Sequence, residues 1–228
     1  VGIDLSKKKS VWTIPFEESR KIRICRNMRN ILTGNAFGSI AVIDSRSKSV
    51  ARTLSADAGI AGLEFFSDES FALSLARSLV VWDLEVGRRV STHQFGSKPS
   101  SMLLLEDQRS VVVCGKSGLS WVDLRSLDFE ISVQNIFSAS VKLDEKFGLF
   151  ASLENIQVWD FSERRIVHQF DLPYKTRISA IYAEKDQNSV WVHASDQYSL
   201  FSFKWDDKKM HLFESSGDIP NLDFSCLL

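Results

Sequence analysis

A short apolar run that ends in aspartate returns along this chain at a nearly constant interval, and that spacing constrains the fold more than any other feature. The copies are "VGID" at Asp4, "IAVID" at Asp44, "VVWD" at Asp83, "SWVD" at Asp123 and "QVWD" at Asp160, with a degenerate sixth, "LFSFK", that puts Lys204 in the aspartate position. Successive anchors lie 40, 39, 40, 37 and 44 residues apart. Such a period marks a chain that stacks one supersecondary unit several times.

Each period carries the same internal order of apolar runs. A first reads "KIRIC", "AGLEFF", "SMLLLE", "SVKLD" or "ISAIYA", and a second "NILTG", "SFALSL", "SVVVCG", "FGLFAS" or "SVWVHA". The third closes on the anchor, and the fourth reads "SVARTL", "RVSTHQF", "FEISV", "RIVHQF" or "MHLF". These are short runs rich in Val, Ile, Leu and Phe, broken by Gly, Asn, Asp and Ser, as strands are. A helix is the competing reading for "SMLLLEDQRSVVV", but connectors such as "NAFGS", "GKSG" and "SDQYS" leave no room for one of ordinary length. Four short antiparallel strands per period describe a β-propeller blade. "VGID" reads as the close of a third strand, and the terminal "NLDFSCLL" is similar to the first strand "GLEFFS". The expected fold is therefore all-β, one domain over residues 1–228, with five complete four-stranded blades and partial blades at both ends. Open terminal blades would expose apolar sheet faces, so the native protein is expected to be longer, or a partner to supply the missing strands.

Composition narrows the class of function. The 228 residues are 44% hydrophobic and 25% charged, within the globular range, and the formal charge of -1 creates no field that would draw the whole molecule to a polyanion. Cys25, Cys114 and Cys226 are unpaired in spacing and read as small apolar fillers rather than a disulfide framework or zinc cluster. No stretch has the length of a membrane span and the first ten residues, "VGIDLSKKKS", have no signal-peptide core. The absence of any Asn-x-Ser/Thr site adds to an expected intracellular address, cytoplasmic or nuclear. Because residue 1 is Val rather than Met, the chain is expected to be a piece of a longer or processed protein.

Trp82-Asp83, Trp159-Asp160, the offset copy Trp121-Val122-Asp123 and the period together resemble the WD-repeat family of β-propellers. The resemblance implies blades around a central channel, forming a rigid platform for other macromolecules. The family's Gly-His pair is absent, and none of His93, His168, His193 and His211 takes its place. In that family the His and the anchor Asp share a buried hydrogen-bond network. Without the His, the Asp residues are expected to be only partly engaged and to serve as tight-turn residues, since Asp bonds its own backbone two residues on. His93 and His168, in "THQF" and "VHQF", read as outer-strand packing residues.

Enzyme signatures do not emerge. "CGKSG" at Cys114–Gly118 echoes a phosphate-binding loop, but Ser110 stands where its first Gly belongs and a strand follows where a helix is required, so it reads as a hairpin turn. Neither cofactor nor metal nor small-molecule substrate is inferred, and catalysis is not expected. Lys7, Lys8, Lys9, Arg20, Lys21, Arg23, Arg26 and Arg29 form the densest basic stretch. Lys21 and Arg23 alternate with Ile22 and Ile24, which reads as the polar face of a half-buried strand in preference to a nucleic-acid groove.

Partner binding is expected on the connections between second and third strands and between a fourth strand and the next blade. The repeat places Phe37, Arg77, Lys116 and Tyr198 on the former and Lys98, Phe137, Tyr174 and Arg177 on the latter. Aromatic and Arg side chains are the types that dominate interfaces. Arg46 and Arg125, two residues after their Asp, resemble the Asp-x-Arg signature by which substrate receptors of cullin ubiquitin ligases dock on their adaptor. The expected function is a non-catalytic scaffold subunit that binds other proteins of a complex. The alternatives are a ligase substrate receptor and an accessory subunit of an RNA-processing or RNA-modifying complex.

Overall fold

The computed structural model of the chain describes residues 2–4, 9–12, 14, 16–25, 28–66, 69–126, 128–133, 136–171, 178, 180–185, 190–195, 199–206 and 209–217. These form 22 strands and no helix. β1 (Gly2–Asp4) and β2 (Lys9–Trp12) make a two-stranded sheet; five four-stranded antiparallel sheets follow, each a meander in sequence order. Blade 1 is β3 (Ser19–Ile24), β4 (Asn30–Asn35), β5 (Ser39–Asp44) and β6 (Ser49–Ser55); blade 2 is β7 (Gly62–Phe66), β8 (Phe71–Leu75), β9 (Ser78–Asp83) and β10 (Arg88–Gln94). Blade 3 is β11 (Pro99–Leu104), β12 (Ser110–Gly115), β13 (Gly118–Asp123) and β14 (Phe129–Val133); blade 4 is β15 (Phe137–Lys142), β16 (Phe147–Ser152), β17 (Asn155–Asp160) and β18 (Arg165–Asp171). Blade 5 is β19 (Ala180–Lys185), β20 (Val190–Ser195), β21 (Ser199–Asp206) and β22 (Lys209–Gly217). The chain divides into two compact units, Val1–Pro99 and Ser100–Leu228. The C-terminal "NLDFSCLL" lies outside the described residues.

The anchor sets the register of every blade. The second strand opens opposite it in blades 1 to 4, as Asn30↔Asp44, Phe71↔Asp83, Ser110↔Asp123 and Phe147↔Asp160. Asp44 pairs with Ser49, Asp83 with Arg88 and Asp160 with Arg165, and Asp4 pairs with Lys9 by the same step. β1 and β2 are therefore the third and fourth strands of a blade. In blade 5, Leu200↔Ser195 closes the far end as Ile156↔Ala151 does in blade 4, which puts Lys204 in the anchor position. β21 then runs two residues further, to Asp206. A two-residue step keeps a side chain on the same face, so Trp205 still packs toward blade 4, edge-on to Phe147 at 5.5 Å between centroids.

Alternation about the anchor builds the core. Within each unit, residues two and four before it face the following blade, and those one and three before it face the preceding one. Ile40 and Val42 of blade 1 thus meet Val80 and Trp82 of blade 2, and Ile156 and Val158 of blade 4 meet Trp205 of blade 5. Trp121 stands two before its Asp rather than one, so it points forward; it meets the backward-facing Trp159 with ring centroids 5.8 Å apart. The offset that looks like a decayed motif pairs two tryptophans in one core.

The turns after the anchor repeat as well. Oδ1 accepts hydrogen bonds from the amides of Arg46 and Ser47 at Asp44, Glu85 and Val86 at Asp83, Arg125 and Ser126 at Asp123, and Ser162 and Glu163 at Asp160. Four residues past the Asp the backbone turns left-handed, at Lys48 (φ 55°), Gly87 (φ 76°) and Arg164 (φ 50°). A residue with Cβ is strained there. Lys48→Gly is expected to stabilise the chain by about 0.5–1 kcal/mol, seen as a higher urea midpoint at unchanged slope. Gly87→Ala is expected to lower the midpoint, because its Cβ would also run into the Arg52 side chain.

Candidate partner-binding surface

The periodic Asp residues are occupied by the fold. Lys146 Nζ lies 3.0 Å from Asp160 Oδ2, and Arg109 Nη2 lies 2.8 Å from Asp123 Oδ2 and adds a second bond through Nε. Arg29 takes the same place beside Asp44 at 3.8 Å. Each cation directly precedes the second strand, and its carbonyl accepts the amide after the anchor, in Ser45→Arg29, Leu124→Arg109 and Phe161→Lys146. The expectation that these carboxylates are only partly engaged is thus corrected in blades 1, 3 and 4, where a cation from the first-to-second-strand turn lies beside each. In blade 2 the equivalent residue is Ser70, whose carbonyl accepts from Leu84.

Charge follows from those contacts. Burial alone would raise the Asp160 carboxyl, but hydrogen bonds from the Ser162 hydroxyl, Lys146 and the Glu163 and Ser162 amides outweigh it and bring it down to about 2. The amide of Arg125 and the guanidinium of Arg109 lower Asp123, and the amides of Ser47 and Arg46 lower Asp44. Fully buried, the Cys114 thiol is pushed up to about 11 and stays protonated. Cys25 and Cys114 are both buried thiols, while Cys226 lies outside the described residues.

Arginine side chains also hold blades together. Arg89 lies 5.2 Å over its own Trp82 ring and donates to the Ser55 carbonyl of blade 1 at 2.5 Å. Arg52 donates to the Val86 and Glu85 carbonyls at 2.9 and 2.7 Å. In the second unit Arg164 lies 5.9 Å over Trp121. His93, edge-on to Phe95 at 4.8 Å, and His168 are half-buried on the outer strands β10 and β18. They pair with Leu79 and Val158, which stand four and two residues before their anchors.

Side chains left clear of these tasks gather on connectors. In the first unit, Asn35 Oδ1 accepts from the Phe37 and Ser39 amides at 3.0 and 2.9 Å, shaping a turn closed by Gly38 at φ 93°. The 56–61 connector lies against that turn, with Ala56 donating to Gly38 and Ile60 to Asn35. A Cβ on Gly59 would collide with the Ala36 carbonyl oxygen. On its other side, Ala61 donates to Leu75 and Ser78 Oγ to Asp57 Oδ2, tying it to the 76–78 turn. Three connectors thus form one continuous, hydrogen-bonded surface. Phe37 stands on it 67% exposed, with exposed Arg77 across the 56–61 strip. Lys98, also exposed, follows β10, whose last pair is Gln94↔Ser78.

In the second unit, Gly115↔Gly118 closes a hairpin that presents Lys116 and Ser117 to solvent. Phe137 is not presented. It is the first residue of β15, 1% exposed and packed edge-on to Phe150, with its carbonyl accepting from Ser100 Oγ at 2.8 Å. Its neighbour Ile136 is the exposed residue of that connector, at 45%. Leu153, on the 153–154 turn of blade 4, is a partly exposed apolar residue that the repeat did not single out. Tyr174, Arg177 and Tyr198 lie outside the described residues. Arg46 and Arg125 are exposed on the third-to-fourth-strand turns, away from the second-to-third-strand connectors of their blades. No helix among the described residues is long and apolar enough to cross a membrane.

No family model and no curated protein matches this sequence. Solved structures do match, among them the β-propeller domain of Cps50 (Swd1) from Myceliophteria thermophila, with a TM-score of 0.76 at 16% identity over 90% of this chain and 74% of that one. At that identity the likeness establishes the fold, a β-propeller of four-stranded antiparallel blades, in agreement with the WD-type resemblance of the repeats.

Proposed function

We propose that this chain is a non-catalytic WD-repeat scaffold that binds other proteins of a complex through the connectors between second and third strands and from a fourth strand to the next blade. The supporting observation is the surface formed by connectors 36–38, 56–61 and 76–78, where Phe37 stands exposed on a turn held by its own hydrogen bonds. An aromatic side chain on a turn whose backbone is already fixed suits an interface anchor. Arg77, across the strip, supplies a forked cation. The carboxylates that could have served chemistry are engaged in turns and ion pairs. The same reading places the protein inside the cell, where buried thiols such as Cys25 and Cys114 stay reduced.

The test is quantitative affinity capture from cells with the full-length protein. The double variant Phe37→Ala/Arg77→Glu is expected to recover at least tenfold less of the principal partners at unchanged melting temperature. Arg46→Ala/Arg125→Ala is expected to recover them at the wild-type level. Loss confined to the second variant would instead support the ligase-receptor reading.

A further inference from the structure

The outer strand of blade 2 joins two arginines to two hydroxyls in Arg88-Arg89-Val90-Ser91-Thr92. Residues 88–90 and Thr92 are exposed, and Ser91 is half-buried. A bulge at Val90 separates Arg89, opposite Trp82, from Ser91, opposite Val81, and Thr92 stands opposite Val80. Trp82 and Val80 are two residues apart, so Arg89 and Thr92 share the face toward blade 1 while Ser91 stands on the other. The same bulge falls at Ala51 in blade 1 and at Val167 in blade 4. There Ser49, Val50 and Thr53, or Arg165, Ile166 and Gln169, take the places of Arg88, Arg89 and Thr92, so neither blade sets two cations ahead of a hydroxyl. Arg165 is paired with Glu163, whereas among the described residues no carboxylate pairs with Arg88 or Arg89. Asp83 turns its Oδ1 to the amides of Glu85 and Val86 instead.

We propose that Thr92 is a phosphorylation site for a kinase that reads basic residues ahead of its acceptor. β10 is the edge of its sheet, so the segment is already extended and open along one side. A substrate groove lined with carboxylates takes Arg88 and Arg89, four and three residues before the acceptor, as charge-assisted pairs. Arg89 leaves Trp82 and the Ser55 carbonyl to enter it. Ser91 stands closer to the arginines in sequence, but its half-burial on the opposite face withholds it. In the transfer, Thr92 Oγ1 attacks the γ-phosphorus of ATP and the bond from that phosphorus to the bridging oxygen of ADP breaks. The hydroxyl proton passes to the kinase's catalytic carboxylate, and ADP leaves. The new phosphate stands on the face of β10 that Arg89 occupies, where the guanidinium offers it a charge-assisted partner.

The full chain is incubated with ATP and the catalytic subunit of cyclic-AMP-dependent protein kinase, beside a free peptide of residues 84–96, and the phosphate is located by mass spectrometry. In the peptide, where burial does not act, Ser91 is the expected acceptor; in the folded chain it is Thr92. Arg88→Ala is expected to slow incorporation into the folded chain at least fivefold at unchanged melting temperature, while Arg125→Ala leaves it within twofold of wild type. Phosphate confined to Ser91 of the folded chain, a folded chain that takes none, or an unchanged rate in Arg88→Ala would overturn the proposal.

Discussion

Trp159→Ala is expected to destabilise the second unit by about 4 kcal/mol, within the range for deleting a buried aromatic side chain. Trp159 is 2% exposed, its Nε1 donates to Gln157 Oε1 at 3.0 Å, and its ring meets Trp121 between blades 3 and 4. The cavity would open among Val112, Leu119, Phe150 and Phe161, all buried in regular strands or the adjoining turn and poorly able to collapse. The same core includes Gly148, where a Cβ would run into the Phe161 ring, so it has no slack on that side. Trp121→Ala is expected to cost a comparable amount. Because the rings touch, the double variant should be less destabilised than the sum of the two by about 1 kcal/mol. Urea unfolding of the four proteins measures this coupling, and strict additivity would show that the offset Trp121 is not part of the Trp159 contact.

Asp160→Ala is expected to cost about 1.5–3 kcal/mol, the range for hydrogen bonds to a charged acceptor. The carboxylate is almost fully buried and accepts from the Ser162 amide and hydroxyl, the Glu163 amide and Lys146. Half-exposed Lys146 returns to water when its partner is removed, which keeps the loss below that of breaking a fully buried pair. The pH dependence has a definite sign. The carboxyl titrates near 3.8 when unperturbed and at about 2 in the fold, so protons bind the unfolded chain first. The stabilisation is fully present above about pH 4 and disappears as the pH falls through about 2. Asp44 and Asp123 are lowered too and steepen the same acid limb. Asp160→Asn is expected to flatten that limb in stability measured from pH 5 to pH 2; an unchanged slope would mean that Asp160 is not ionised in the fold.

The blade was readable in the sequence because each copy solves the same local problem. An apolar alternation ending in Asp sets the face and the turn together, and five copies agree. What the repeat concealed came from shifts of one residue. Trp121 looked like a weakened Trp-Asp copy, yet one step of a strand turns a side chain to the other face and brings it to Trp159. Phe137 and Ile136 exchange core and surface by the same step at the start of β15. The cations beside the anchors escaped notice because residue type and spacing both vary, Arg29 standing 15 residues before its Asp and Arg109 and Lys146 standing 14 before theirs. Trp205-Asp206 was hidden by the two-residue extension of β21.

The proposed binding surface was less legible, for a physical reason. Connectors such as 56–61 answer to no period, and their form depends on contacts with turns far along the chain, such as Ser78 to Asp57. The repeat places Phe37 and Arg77 on connectors, because it says where a connector falls. The contact of their turns with a shared strip appears only in three dimensions. β3 shows the opposite limit: its alternation is that of a half-buried strand, yet Ile24 is 59% exposed, because burial depends on a neighbour that its own sequence does not encode.

Hydrogen exchange of the full-length protein, alone and bound to a partner recovered by affinity capture, tests most directly whether the connectors between second and third strands and from a fourth strand to the next blade carry the function. Slower exchange in the complex at residues 36–38, 56–61 and 76–78, with residues 45–48 and 84–87 unchanged, is the predicted result. Protection confined to 45–48 and 84–87, the turns at the other end of the same blades, would contradict it.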